Sequence, residues 1–523
     1  MIPLSHVNWG PTDALARDQH FIEKWVEPDE IKKCLISENW LISGEKGSGK
    51  SAIRRALVEI YGDQYLVAPI VDFNDITFKA LYEHIVQLAN TTRLSKTTTL
   101  SHFWQYAIII ELLIACANKN PKRYGDLLER IPVERASVSL NERLMRLLEE
   151  AWNKIDDFTG INGKPSNDRR KVKANLVASS GLTANFLNHL SNFPVEQDFL
   201  QLKNEFFNRI ESENDRIVLV LDGFDRLKND GTRREEIGLI FASLVDAIQV
   251  INCDPYLPGT FEIKAFIPHD RYVALPLRDS DKVDTMHVAI RWTRPSLQEF
   301  LKKRIELTPK LQQGNFQLLW RQVMPEKILN SHYRIEEDSF DYIVRHTMYR
   351  PRQMQIHLEN LASEHRDKNI DPSMIPNSIA ESSEKIAKYF IDEFKTEHPK
   401  LGHFIASLHK KDNVMEYVKF KKIVADAITK FHPKQVGLLL EDKVDTLYSM
   451  GFFGIVNFVE HGDELINRYC PPSRESKRHY VNFFFKSPHP SISGTLNDDS
   501  LIAIHPIFVN YSNLRPHPTL IIG

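Results

Sequence analysis

Eight residues, Gly44-Glu45-Lys46-Gly47-Ser48-Gly49-Lys50-Ser51, place the tightest constraint on this chain. They fit the pattern GxxxxGK[ST] at every position. An apolar run at 40–42 precedes them, and Ile53, Leu57 and Ile60 follow at helical spacing over 51–61. A strand, a glycine turn and a helix form the context in which such a turn holds phosphate. Glycines let successive backbone N–H groups face an anion, Lys50 brings a point charge to the β- and γ-phosphates, and Ser51 offers a hydroxyl to Mg²⁺. The helix adds its positive N-terminal end.

A phosphate loop needs an acid at the end of a neighbouring strand to hold the metal's water shell. The stretch RIVLVLDGFDRL at 216–227 supplies one, because the apolar run 217–221 ends in Asp222. Asp225 stands where a second carboxylate could orient or deprotonate an attacking water. Asp-Gly is also ordinary turn chemistry, so the upstream loop is what gives this motif weight. Further apolar runs at 65–71, 261–267 and 288–292 complete a set of strands, with a helical stretch at 235–250 whose Ile237, Ile240, Leu244 and Ile248 share a face. Strands alternating with helices predict an α/β fold with a parallel sheet and a ligand site outside the carboxyl ends of its strands.

These motifs resemble the additional-strand P-loop ATPases, and within them the AAA+/STAND, origin-recognition-like type found in anti-phage defence loci. LVLDGFD is similar to the STAND Walker B element, which implies that Asp222, with Ser51, serves Mg²⁺ and that Asp225 serves hydrolysis. The family often carries another acid next, where this chain has Arg226, and that departure implies slow turnover. FIPHDRY at 266–272 falls where the family places sensor 1, which implies γ-phosphate sensing by His269 and Asp270 and a trans-acting finger at Arg271. YRPRQMQIHLENLA at 349–362 resembles the start of a lid helix, with Arg352 as sensor 2 and Arg350 as second choice. The resemblance implies ATP and Mg²⁺ as ligands and a homo-oligomer as the working form.

The domain plan that follows is an ATPase core at 1–290 with a helical insertion at about 90–200, a helical lid at 291–365 and a winged-helix-like domain at 379–523. The lid opens with IRWTRPSLQEFLKKRIEL at 290–307. Within the insertion, 103–116 and 140–155 read as helices, and the loop at 159–175 is made basic by Arg169, Arg170, Lys171 and Lys173. The polar, proline-bearing stretch 366–378 reads as a linker, followed by a long helix at 382–396. In the last domain, helical periods around Pro433 lead to β-like runs at 455–459 and 480–485. The prospective recognition helix, 433–450, holds Lys434 and Lys443 but also Glu441, Asp442 and Asp445, an acidity that repels a phosphate backbone. The wing turn has Arg474, Lys477 and Arg478, so DNA stays an open partner beside protein.

Bulk properties exclude several classes. A formal net charge of −2 rules out a bulk polycation, so nucleic-acid binding would need a local patch. The four cysteines show no CxxC spacing, which suggests neither zinc nor a disulfide framework. The opening MIPLSHVNWGPTD lacks the features of a signal peptide, and the apolar run at 107–117 is short for a span and carries Glu111, so a cytoplasmic protein with no membrane partner is expected. Three functions remain in play. The first is an ATP-binding and ATP-hydrolysing switch that assembles or regulates a separately encoded effector. The others are an ATP-gated DNA-binding initiator or loader, and a nucleotide-binding scaffold with little turnover.

Overall fold

The computed structural model describes residues 1–36, 38–68, 70–72, 96–130, 197–222, 234–269, 272, 275, 280–309, 311–330, 335–395, 398–431, 436–458, 479–484, 498, 500–516 and 520–522. They form two compact units. One comprises Asp29–Lys46 with Lys50–Ile290, and the other Met1–Pro28 with Gly47–Gly49 and Arg291–Gly523.

The first unit is built on a parallel sheet of five strands: β1 (Leu41–Gly44), β2 (Ile70–Asp72), β3 (Ile217–Asp222), β4 (Phe261–Pro268) and β5 (His287–Ala289), in the order β2-β3-β4-β1-β5. All four pairings are parallel, with Leu41 opposite Ala265 and Ile217 opposite Phe261. β3 is buried at every residue, as expected of a strand covered on both faces. Helices Lys96–Lys119, Gln197–Glu213 and Arg234–Asn252 pack Trp104, Ile108, Leu112, Phe206, Phe207, Phe241, Leu244 and Ile248 into one core with Leu219, Leu221 and Ile263 of the sheet. The apolar run at 107–117 is thus a buried helix, and no helix among the described residues is long and apolar enough to cross a membrane.

β2 is shorter than the run 65–71 suggested. A 3-10 turn at Gly62–Gln64 and a single bridge from Val67 to Ile217 precede it. β5 likewise ends at Ala289, so Trp292 lies beyond the sheet. Lys264, wholly buried in β4, donates to the carbonyls of Ile36 and, at 3.1 Å, Asn39, just past the helix Asp29–Leu35. Burial pulls its pKa down to about 8.

In the second unit, helices Arg294–Glu306, Phe316–Val323, Ser339–Arg345, Pro351–Glu364 and Met374–Phe394 form a bundle carrying one antiparallel pair, β6 (Lys327–Asn330) and β7 (Ile335–Asp338). The expected linker at 366–378 is corrected here. The long helix begins at Met374, because Ile375, Ile379, Ile386 and Phe390 make a buried stripe that Pro376, early in the first turn, does not interrupt.

The N-terminal segment belongs to this bundle. The Ile2 amide donates to Gln322 O at 2.7 Å, Arg304 Nε to Trp9 O at 3.0 Å, and the Gln355 amide to Gly10 O. Arg304 stacks 3.5 Å from the Phe300 ring centroid, and burial draws its pKa down to about 9.

The chain ends in a second sheet of β8 (Val414–Glu416), β9 (Phe453–Phe458), β10 (His479–Phe484), β11 (Leu501–Ile504) and β12 (Leu520–Ile522), in the order β12-β10-β9-β11-β8. The two expected β-runs do pair antiparallel, as β9 and β10. Three apolar runs of only three or four residues, too short to show alternation, extend the ribbon into a sheet. Helices Tyr417–Phe431 and Val436–Ser449 pack beside it through Phe420, Val424, Val444 and Leu447.

Two buried histidines give this unit a pH dependence. His357 bridges Ser382 Oγ (2.6 Å) and His346 O (2.8 Å), and His505 bonds Thr347's backbone. Burial lowers His357 to about 4 and His505 to about 3, the latter helped by Arg350. Both pKa values lie below the ordinary 6.5, so the unfolded chain binds more protons and stability is lost as pH falls below 6.5. The loss should reach about 2 kcal/mol per histidine at pH 5. Thermal melts at pH 7 and pH 5 measure it, and His357→Asn should flatten the slope. An unchanged slope in that variant would clear His357 of the effect.

Candidate functional site

At the carboxyl edge of the first sheet, β1 ends at Gly44 and the chain turns through 45–49 into the helix Lys50–Glu59. Gly47 and Gly49 have φ of +84° and +107°, conformations that side chains oppose. Gly47 is also crowded, since a Cβ there would stand 3.2 Å from Arg352 Cβ. Lys50 is buried and its ammonium donates to Gly44 O at 2.7 Å and Glu45 O at 3.1 Å. Ser48 is 4% exposed, and its hydroxyl has no hydrogen-bond partner among the described residues. An unmatched buried hydroxyl costs about 1–3 kcal/mol, which an acceptor oxygen brought by a ligand would recover. Ser51 is half-buried on the first turn of the helix, and Lys46 is exposed at the turn.

Asp222 ends β3 and is 5% exposed. Its Oδ2 accepts from Arg54 Nη1 at 3.1 Å, with both side chains largely out of solvent. The sequence reading missed Arg54. The available signal was its spacing, because a cation four residues after Lys50 lies on the same helix face.

Ser43 and His287 were also missed, as partners of the expected His269. Ser43 Oγ, on β1 next to Gly44, lies 3.0 Å from His269 Nδ1 and 2.8 Å from His287 Nε2. A hydroxyl can donate to one ring and accept from the other, which links the two tautomers across three strands. Tyr272 stacks on His287 at 3.7 Å and donates its hydroxyl to Asp284. Burial, with Asp284 close by, holds that phenol above its usual range.

Arg352 opens the helix Pro351–Glu364, and its Nε donates to Thr12 O at 3.1 Å. Arg350, the second choice for the same role, is 5% exposed and paired with Glu393 at 3.2 Å, so it is committed to the bundle. Asp225, Arg226, Asp270 and Arg271 lie outside the described residues, as do 140–155, the basic loop 159–175 and the wing turn with Arg474, Lys477 and Arg478.

The parallel sheet brings Lys50, Arg54 and Asp222 into one unit, and Gly47 shares the other with Arg352. Two left-handed glycines leading into a helix N-terminus can hold a polyanion. Magnesium is normally bound through one or two carboxylates together with phosphate oxygens, and the Ser51 hydroxyl and Asp222 carboxylate have the oxygen-donor chemistry such a site uses.

Fold and site define a mixed α/β protein whose parallel sheet carries a glycine loop. Over residues 295–394 the chain is similar to the FunZ-associated C-terminal helical domain. No curated protein and no solved structure matches it. The matched stretch begins one residue after Arg294 and closes at Phe394, the last residue of the long helix, so it includes the residues expected to be a linker.

Proposed function

We propose that this protein is an ATP-binding and ATP-hydrolysing switch that assembles or regulates a separately encoded effector. The observation that carries the reading is the loop itself: two left-handed glycines and a buried lysine follow β1, in a parallel sheet whose β3 ends in buried Asp222. The strand order supports it as well. β4 lies between the loop-bearing β1 and the acid-bearing β3, as the additional-strand resemblance implies.

Ser51 and Asp222 would hold magnesium, which would supply charge neutralisation at the phosphates. Lys50 exchanges the carbonyls of Gly44 and Glu45 for phosphate oxygens, a charge-assisted contact stronger than those it leaves. Catalysis is then positioning plus charge neutralisation, with Asp225 orienting water. The FunZ-associated match at 295–394 is consistent with the defence setting that the motif resemblance implies.

The field around the helix Val436–Ser449 favours a protein partner over DNA. Burial above all, and then Glu441, Asp445 and Asp498, push the Tyr417 hydroxyl up to about 12. Nearby cations are already engaged, Lys421 with Asp498 and Lys443 with Asp442.

Size measurement with the non-hydrolysable imido analogue of ATP tests the switch. The wild type should enlarge and Lys50→Ala should keep its resting size. Identical behaviour of the two would remove the proposal, whereas ATPase stimulated by DNA with a steep salt dependence would replace it with the loader reading.

A further inference from the structure

Trp292 precedes the helix Arg294–Glu306 in the chain by two residues and is 7% exposed. Its indole Nε1 donates to the carbonyl of Ser48 at 2.7 Å, across 244 residues of sequence. The ring also flanks the loop, since a Cβ on Gly49 would lie 3.9 Å from Trp292 Cζ2. Phe300 meets the indole edge-on at 5.7 Å and 79°.

The backbone on Trp292's other side is firmly anchored. Thr293 caps the helix in a reciprocal box with Ser296, and Arg294 holds Asp341 through two bonds of 2.6 and 3.1 Å. The indole is therefore a fixed donor rather than a mobile one.

A trans peptide is planar, with its C=O and N–H pointing in opposite directions. Pinning the Ser48 carbonyl to the indole thus turns the Gly49 N–H away from Trp292. Anion cradles are made from backbone N–H groups aimed the same way, and one reversed peptide removes a donor from the set. Gly49, at φ +107°, has the freedom to let that peptide flip. Something has to choose the orientation.

We propose that Trp292 is the positioning residue of the phosphate loop: its indole N–H fixes the Ser48–Gly49 peptide so that the Gly49 amide serves the phosphates. This deepens the nucleotide reading and rests on it. Trp292 does not touch the reacting atoms. It should contribute equally to ground-state and transition-state binding, and so act on KM rather than on kcat.

Trp292→Phe keeps the ring packing and deletes the donor. Its affinity for the imido analogue, and for inorganic tripolyphosphate, should fall about tenfold, the size of one lost hydrogen bond. KM for ATP should rise by the same factor with kcat within about twofold. Trp292→His, which restores an N–H, should recover part of the affinity. Should Trp292→Phe melt more than about 5 °C below the wild type, Trp292→His carries the comparison, read against a ¹⁹F spectrum of wild-type protein labelled with fluorotryptophan. In that spectrum one indole resonance should move on adding tripolyphosphate and be missing from Trp292→His. Wild-type affinity in both variants, or a Trp292 resonance indifferent to tripolyphosphate, overturns this inference alone. A wild type that binds neither probe overturns it together with the nucleotide reading.

Discussion

Lys50→Ala should give a folded protein that no longer hydrolyses ATP and binds the imido analogue about 100-fold more weakly, the loss expected for a charged hydrogen-bonding partner. The ammonium now bonds two carbonyls of its own loop, Gly44 O and Glu45 O, so it is held within the loop. Removing it frees those carbonyls at a cost of about 1 kcal/mol, small enough to leave the fold intact. Calorimetric titration beside a thermal melt separates the two effects. Unchanged affinity in a variant of unchanged stability would dismiss the loop as a triphosphate site.

Asp222 gives the second large effect, and its two variants should part company. Asp222→Ala removes the ion pair with the Arg54 guanidinium, whose side chain is 11% exposed. Breaking a largely buried pair costs up to about 3–5 kcal/mol, so the melting temperature should drop. Asp222→Asn keeps the volume and an oxygen for Arg54. It should melt within a few degrees of wild type yet lose turnover by about 100-fold, because the metal's water shell loses its carboxylate. Adding Arg54→Met to Asp222→Ala should restore most of the stability and none of the activity. A double variant no more stable than Asp222→Ala would mean that the ion pair at 3.1 Å does not hold β3 to the helix Lys50–Glu59.

Local pattern made the sheet readable in advance. β1, β3 and β4 are mostly apolar strands of four, six and eight residues that end in glycine, aspartate and proline, and the helices Lys50–Glu59 and Arg234–Asn252 show their buried faces as a period. The glycine turn was legible because Gly47 and Gly49 stand where the backbone takes a positive φ. What escaped lies in pairings that leave no local trace. Arg54 meets Asp222 across 168 residues, and Ser43 meets His269 across 226. The residues 366–378 misled for another reason. Their polarity outweighed Ile375, which shows its meaning only against the rest of the stripe, Ile379, Ile386 and Phe390.

The first 28 residues pack with a bundle that begins at Arg291, and Arg304 and Gln355 fasten Trp9 and Gly10. Synthesis at about 5–20 residues per second keeps that segment waiting on the order of tens of seconds before its partners leave the ribosome. The sheet unit can close in the meantime. A newborn chain thus waits with Trp9 and Phe21 uncovered, and residues 1–28, made well before the bundle, settle only after it emerges.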